Sequence, residues 1–105
     1  MTQNDDFSTL NEYGSLTMIE RIHLCIVGEV ERQGSMTAAA DVLCLTQSAL
    51  SHSIRKLEQQ LGTDIWLREG RSLRLTPAGQ AVLALARRVL PQLEQAESQL
   101  RQIDQ

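Results

Sequence analysis

Polar and basic side chains follow one another at helical spacing between residues 47 and 56. One helix face would carry several of them: Gln47, Ser48, Ser51, His52 and Arg55, with Lys56 beside them. Short hydrogen-bonding groups followed by cations are the side chains that contact base edges and phosphates in the major groove of DNA. The pattern therefore predicts a helix surface suited to contact with a nucleic acid.

Two helices joined by a tight turn are predicted to position this surface. The opposite face of the second helix is apolar, at spacings of four, three and four residues: Leu50, Ile54, Leu57 and Leu61. Ser35 and Thr46 are the expected N-caps of the two helices, because their hydroxyls can accept from amides that a first helical turn leaves unpaired. Three alanines at residues 38–40 let the first helix cross another closely. Residues 35–61 thus predict a helix-turn-helix.

A further helix is predicted upstream, over residues 19–33. Ile22, Ile26 and Val30 lie four residues apart along it, and Gly34 is suited to end it in a left-handed conformation. His23, near its start, is expected at the surface or at its boundary. No second ligand stands at a spacing that would make His23 part of a metal site.

A charged β-hairpin is predicted after the helix-turn-helix. Residues 65–68 and 73–76 alternate in polarity as two short strands, and residues 69–72 contain the glycine of a turn. Next to a helix-turn-helix such a hairpin would be a wing, which places Arg68, Arg71 and Arg74 near the DNA backbone or minor groove. The alternative is a solvated hairpin without a ligand. Trp66 is expected to pack the hairpin onto the helices.

The last 29 residues, 77–105, predict one long helix. Thr76 and Pro77 suit its N-cap and first position. Apolar residues then alternate spacings of four and three: Val82, Ala86, Val89, Leu93, Ala96, Leu100 and Ile103. This heptad seam predicts a helix–helix dimer, on the argument that no other helix of the chain is long enough to cover it. The alternative is a helix folded back on its own domain. Pro91 is expected to kink the helix locally.

Composition limits the classes of protein that the chain can belong to. The 105 residues suffice for one domain, and the 3% of aromatic residues argue against base-stacking platforms for single strands. The net charge of −3 is unfavourable for nucleic acid, yet residues 1–17 carry three acids and no Lys or Arg. The remaining residues balance ten acids (13 minus 3) against ten bases. The polar segment 1–17 is expected to be a disordered extension.

Cys25 and Cys44 stand alone, without the spacing of a metal or redox motif. Both are expected to be small buried apolar residues. The sequence has no secretory signal and no apolar run of the roughly 20 residues that span a bilayer. We therefore expect a cytoplasmic protein without a membrane partner.

Over about residues 18–105 the chain resembles the N-terminal DNA-binding domain of the LysR-type transcriptional regulators, and residues 34–83 carry the signature. The matching positions, in chain order, are Gly34-Ser35, Ala39-Ala40, Thr46-Gln47, Ser51, Leu57-Glu58, Leu61-Gly62, Trp66, Arg68, Leu75-Thr76 and Gly79. The sequence departs from the family pattern with Val27 and Trp66 where phenylalanine is usual. It also has His52 where arginine is frequent, which bears on base preference.

The resemblance implies a mainly α fold: a winged helix-turn-helix at residues 18–76, followed by a linker helix at residues 77–105. Two linker helices would pair antiparallel, so that two copies bind an interrupted palindrome of double-stranded DNA. The seam residues above would form the dimer. Carried over by position, the candidate DNA-binding residues are Ser35, Thr37, Thr46, Gln47, Ser48, Ser51, His52, Arg55, Lys56, Arg68, Arg71 and Arg74.

Family members continue into a C-terminal effector domain, so this chain, which ends at Gln105, is expected to be a DNA-binding fragment or a truncated natural product, without a cofactor of its own. Residues 18–24, 46–52 and 83–96 are most similar to the branch that activates methionine-biosynthesis genes, which implies homocysteine as the co-inducer of the full-length protein. The resemblance leaves open whether the full-length protein forms tetramers and whether it contacts RNA polymerase.

Two other functions are compatible with parts of the pattern. One is a dimerising winged helix that binds a protein instead of DNA. The other is enzymatic, since Ser53 to Lys56 matches the Ser-x-x-Lys motif of β-lactamases. The companion motifs of those enzymes are missing, and the chain is too short for their fold. We therefore expect a non-enzymatic protein.

Overall fold

The computed structural model describes residues 19–103, which form four helices and one antiparallel hairpin. In chain order the elements are α1 (Arg21–Gln33), α2 (Met36–Leu43), α3 (Gln47–Leu61), β1 (Trp66–Glu69), β2 (Ser72–Leu75) and α4 (Pro77–Ile103). The predicted fold class, a mainly α winged helix-turn-helix with a long last helix, is confirmed. The predicted extension at residues 1–17 lies outside the described residues.

The helices begin and end at the capping residues that the sequence predicts. Ser35 Oγ accepts from the amide of Ala38, and Thr46 Oγ1 accepts from the amide of Ala49, each at 3.0 Å. Gly34 ends α1 with a φ of 80°, in the left-handed region that glycine enters without steric cost. The predicted caps at residues 34, 35 and 46 are confirmed.

α1 lies at the centre of the fold and packs against the other three helices. The largest fully buried side chains come from three parts of the chain that the fold brings together: Ile26, Val27, Leu50, Leu57 and Ile65. Ala39 and Ala40 are also buried, which fits the predicted close crossing of α2. None of the helices within residues 19–103 is both long and apolar enough to cross a membrane.

The heptad seam of α4 is divided between two environments. Val82 and Ala86 are buried in the core of the same chain, where α4 packs against α1. The expectation that no other helix covers the seam is therefore wrong for these two residues, because α1 packs against α4 there. Leu100 and Ile103, near the other end, are 61% and 75% exposed.

The hairpin is paired with Trp66 opposite Leu75 and Arg68 opposite Leu73. Trp66 is buried, and its Nε1 donates to Glu31 Oε2 at 3.2 Å, so its predicted packing onto the helices is confirmed. β1 begins and ends one residue later than predicted, and β2 begins and ends one residue earlier. Leu67, in β1, is 49% exposed. Ile65, predicted as the first strand residue, lies before the ladder.

Three elements meet at the backbone of Ile65. Its amide donates to Glu58 Oε2 of α3 at 2.8 Å, and its carbonyl accepts from the amide of Thr76 at 3.0 Å. Thr76 Oγ1 donates to the carbonyl of Asp64 at 2.6 Å and accepts from the amide of Gly79 at 3.0 Å, which caps α4. We call this set the Ile65 junction. It ties α3, the hairpin and α4 together.

Two sequence expectations about burial are wrong. Cys44 is exposed and has a φ of 58°, because it ends α2 in a left-handed conformation that turns its side chain out of the core. His23 is buried, with 3% of its surface exposed. Its Nδ1 accepts from the amide of Glu20 at 2.9 Å, so the ring closes the first turn of α1 and does not point into solvent.

Burial lowers the pKa of His23, since the charged ring loses hydration. Nearby Lys56 lowers the pKa further, whereas Glu20 and the backbone of Ser53 oppose the shift. The ring accepts a hydrogen bond through Nδ1, which requires that this nitrogen carry no proton. The folded chain therefore binds a proton at His23 less readily than the unfolded chain does.

Gly79→Ala should destabilise the domain by about 2 kcal/mol or more, in the range of overpacked cores. A Cβ at residue 79 would lie 2.2 Å from the carbonyl oxygen of Ile65 and 2.7 Å from Leu75 Cδ2. The carbonyl cannot move aside without breaking the Ile65 junction. Urea unfolding followed by circular dichroism measures the effect.

Gly28→Ala is the matched control, since a Cβ at this mid-helix glycine meets nothing within 4 Å. It should stabilise α1 by about 1 kcal/mol through helix propensity. Equal unfolding free energies for Gly79→Ala and the unmodified chain would contradict the close approach at the junction.

The domain should lose stability as the pH falls from about 7.5 to about 5.5, through the ordinary histidine pKa. The pKa of His23 is lower in the folded chain than in the unfolded chain. Above the unfolded pKa His23 is neutral in both states, and its contribution to stability is complete. Below that pKa the unfolded chain binds a proton more readily than the folded chain, so the free energy of unfolding falls. Thermal unfolding across this range should show a weaker pH dependence for His23→Gln, which keeps a hydrogen-bond acceptor. The exposed His52 supplies the control variant, His52→Gln. A pH dependence equal in His23→Gln and the unmodified chain would refute the assignment.

Candidate nucleic-acid interface

α3 exposes the surface that the sequence predicts. Its inner face buries Leu50, Ile54 and Leu57. Ser51 is half-buried at the edge of the outer face, and the other predicted contact residues of this helix are exposed: Gln47, Ser48, His52, Arg55 and Lys56. The helix therefore contributes one face to the core and presents the other to solvent.

A groove runs between the start of α2, the start of α3 and the hairpin. Six of the predicted DNA-binding residues line it: Ser35, Thr37, Gln47, Ser51, Arg68 and Arg71. We call it the α2–wing groove. Within residues 19–103, Arg68 and Arg71 form no ion pair, so their charges are available to an anion. The groove thus combines hydrogen-bonding groups with two cations on different elements.

Gln47 is held by a neighbour across the groove. Its side-chain nitrogen donates to the hydroxyl of Thr37 in the first turn of α2. This bond uses one amide hydrogen, so the second hydrogen and the amide oxygen are not engaged by it. A glutamine amide needs one donor and one acceptor to bind adenine N7 and N6 together. Thr37 therefore orients Gln47 without consuming the groups that such a contact requires.

Strand pairing separates the three wing arginines. Residues opposite one another in the ladder project to the same side, so Arg68 lies with Leu73 on the side of Trp66. Arg74 lies opposite Leu67 on the other side and forms an ion pair with Glu69, at 3.0 Å between Nη1 and Oε2. The structure brings Arg68 and Arg71 to the α2–wing groove and leaves Arg74 outside it.

Arg55 lies further along α3, at a second cleft. It lines this cleft with Glu58, Gln59 and the turn that follows α3. Eight residues separate Arg55 from Gln47, which corresponds to about 12 Å along the helix. The predicted face is therefore a strip with a cationic groove at one end and Arg55 at the other.

Glu31 is a residue of the groove that the sequence analysis missed. Its carboxylate accepts from the indole of Trp66, and it lines the groove together with the two arginines. Glu31 and Trp66 lie 35 positions apart, so no local pattern in the sequence indicates their contact. Glu31 fixes the hairpin against the end of α1 and supplies the one carboxylate among the described residues that line the groove.

The chain belongs to the LysR family of bacterial regulatory helix-turn-helix proteins, whose family description matches residues 23–80. Among curated proteins it is 48% identical over 79 residues to the transcriptional regulator MetR of Salmonella typhimurium and to that of Escherichia coli K12. These alignments cover 75% of this chain and 25% of each relative. The chain thus spans about a quarter of the length of these relatives.

Solved structures support the same family and fold. The CbnR_DBD–DNA complex matches with a TM-score of 0.70 and 31% identity, over 83% of this chain and 100% of the other. The BenM_DBD/catB site 1 DNA complex matches with a TM-score of 0.73 and 34% identity, over 81% of this chain and 96% of the other. The class of the fold is therefore that of LysR-type DNA-binding domains.

Proposed function

We propose that this chain binds double-stranded DNA sequence-specifically, as the DNA-binding part of a LysR-type transcriptional regulator. α3 would enter the major groove with Gln47 and Ser48 at base edges, and Arg68 and Arg71 would contact the backbone beside it. The observation that carries the proposal is the α2–wing groove, which combines an oriented glutamine with unpaired arginines. Two similar structures, the CbnR and BenM domains, are complexes with DNA, which supports the same partner here.

A homodimer that binds an interrupted palindrome is part of this proposal. The support is the second half of the α4 seam, where Leu93 is half-buried and Ala96, Leu100 and Ile103 are exposed at heptad spacing. A regular apolar stripe exposed to water is a typical helix–helix interface. Two copies joined there would present two α3 helices to successive turns of one DNA face.

The relatives also support a proposal for the regulated genes. The 48% identity to MetR proteins supports a role in methionine biosynthesis, exerted in the bacterial cytoplasm. The full-length protein would then sense homocysteine through a further domain. DNA binding needs no catalytic step, and the half-buried Ser53 and exposed Lys56 of the Ser-x-x-Lys motif have no role in it.

The experiment that tests the function is selection from a pool of random duplexes with the purified chain, followed by sequencing. Enrichment of two inverted half-sites with a fixed spacing is the expected result. Fluorescence anisotropy on the selected duplex, over a salt series, then gives affinity and the number of phosphate contacts. A folded, dimeric chain that enriches no motif and binds no duplex at low salt would overturn the proposal in favour of a protein partner.

Gln47→Ala should weaken binding to the selected duplex by about 5- to 150-fold, the loss expected for one bidentate base contact. Binding to a scrambled duplex should change little, because that binding depends on phosphates. Anisotropy titrations on both duplexes measure the difference. Gln59→Ala, an exposed glutamine at the other end of α3, is the matched control. Equal losses on both duplexes would contradict base recognition by Gln47.

Arg71→Gln and Arg68→Gln should each reduce the slope of log K against log salt by about 0.9, the value for one phosphate contact. Arg74→Gln should leave the slope unchanged, since Arg74 is paired with Glu69 on the other side of the hairpin. A slope reduced as much by Arg74→Gln would mean that the wing contacts DNA through its opposite side.

A further inference from the structure

α4 continues well beyond the core that anchors it. Ala86 is the last fully buried residue of the helix, Val89 and Leu90 still pack against the core, Leu93 is half-buried, and every described residue after Leu93 is exposed. Since a helix rises 1.5 Å per residue, position 97 lies about 16 Å past Ala86. Position 97 lies only about 6 Å past Leu93, the last half-buried residue, so a contact there bears on the direction of the exposed end of the helix.

One such contact joins Glu97 to Arg21, the first residue of α1. Arg21 Nη2 donates to Glu97 Oε1 at 3.2 Å, and Nη1 donates to Oε2 in a parallel bond. The hydrogen bonds from Arg21 lower the pKa of the Glu97 carboxyl, which favours the ionised pair at neutral pH. A two-point contact between planar groups fixes orientation as well as distance.

The pair joins elements that are remote in sequence. Of the three ion pairs within residues 19–103, the pair of Arg32 with Glu29 lies inside α1 and that of Arg74 with Glu69 lies inside the hairpin. Only the Arg21 pair links α4 to another element. An exposed ion pair adds little to global stability, so its effect should appear in geometry.

We propose that Arg21 is a positioning residue: its paired bonds to Glu97 set the angle between α4 and the winged helix. In a dimer joined through α4 this angle determines the distance between the two α3 helices, and hence the preferred half-site spacing. Across the 38 Å second dimension of the molecule, a tilt of about 5° moves a point by roughly 3 Å, close to one base-pair rise. The inference rests on the dimer of the proposed function.

The test measures the distance between the two heads without DNA. A spin label on the exposed Cys44, in a Cys25→Ala background, reports this distance in the dimer by double electron–electron resonance. We expect one narrow distribution for the unmodified pair and a broader or shifted one for Arg21→Gln and for Glu97→Gln. The exchanged pair, Arg21→Glu with Glu97→Arg, should restore the narrow distribution. Arg32→Gln, which removes the ion pair inside α1, is the matched control and should change nothing.

A second measurement uses duplexes with the selected half-sites moved by one or two base pairs in either direction. Arg21→Gln should reduce the preference for the native spacing by about 2- to 20-fold. The dimer would contain two copies of the Arg21–Glu97 pair, and this range is what two exposed ion pairs contribute together. Affinity for a single half-site should not change. The exchanged pair should recover the preference.

The outcomes separate this inference from the function on which it rests. A monomeric chain, or one that prefers no spacing, would overturn both the dimer and the role of Arg21. A dimer with a clear spacing preference that Arg21→Gln leaves unaltered would overturn the positioning role alone. Loss of the narrow distribution without recovery in the exchanged pair would also overturn it, since the effect would then not depend on the pairing of charges.

Discussion

The backbone of Ile65 is the point on which the arrangement of the molecule depends. A buried amide and carbonyl must find partners, and here they find them on different elements: the carboxylate of Glu58 in α3 and the amide of Thr76 before α4. Gly79 lets α4 approach the same carbonyl without a side chain between them. The hairpin therefore cannot shift relative to α3, and the arginines of the wing keep their place beside Gln47. A surface assembled from three segments needs this kind of shared anchor to have a defined shape.

Charge is distributed so that a net negative chain still offers a cationic surface. Three carboxylates of the described residues, those of Glu29, Glu69 and Glu97, are engaged by arginines away from the α2–wing groove. Arg68 and Arg71 form no ion pair with any described residue and lie in the groove. Because electrostatic attraction in water is screened over about 10 Å at 0.1 M salt, a polyanion responds to this local surface more than to the total charge of −3.

Sequence patterns predicted best those features whose partners lie within one helical turn. The caps at Ser35, Thr46 and Thr76 bond an amide three residues away, so the residue type at one position suffices to predict them. Burial was predicted less well. His23 is buried and Cys44 is exposed, both contrary to the prediction. The burial of His23 depends on how α1 packs against α3, and the exposure of Cys44 depends on the left-handed turn at the end of α2. Alternation predicted the hairpin but missed that Ile65 belongs to the junction.

The sequence by itself determined the elements, the apolar and polar faces of α3, and the family signature, since each is encoded in residues close together along the chain. Only the tertiary structure decided which of the predicted residues share a groove, since Thr37, Gln47 and Arg71 lie on three elements. It also decided how the α4 seam divides, because Val82 and Ala86 are covered by α1 whereas Leu100 lies beyond its reach. The pair between Arg21 and Glu97 spans 76 positions, and no periodicity in a single sequence indicates a contact at that distance.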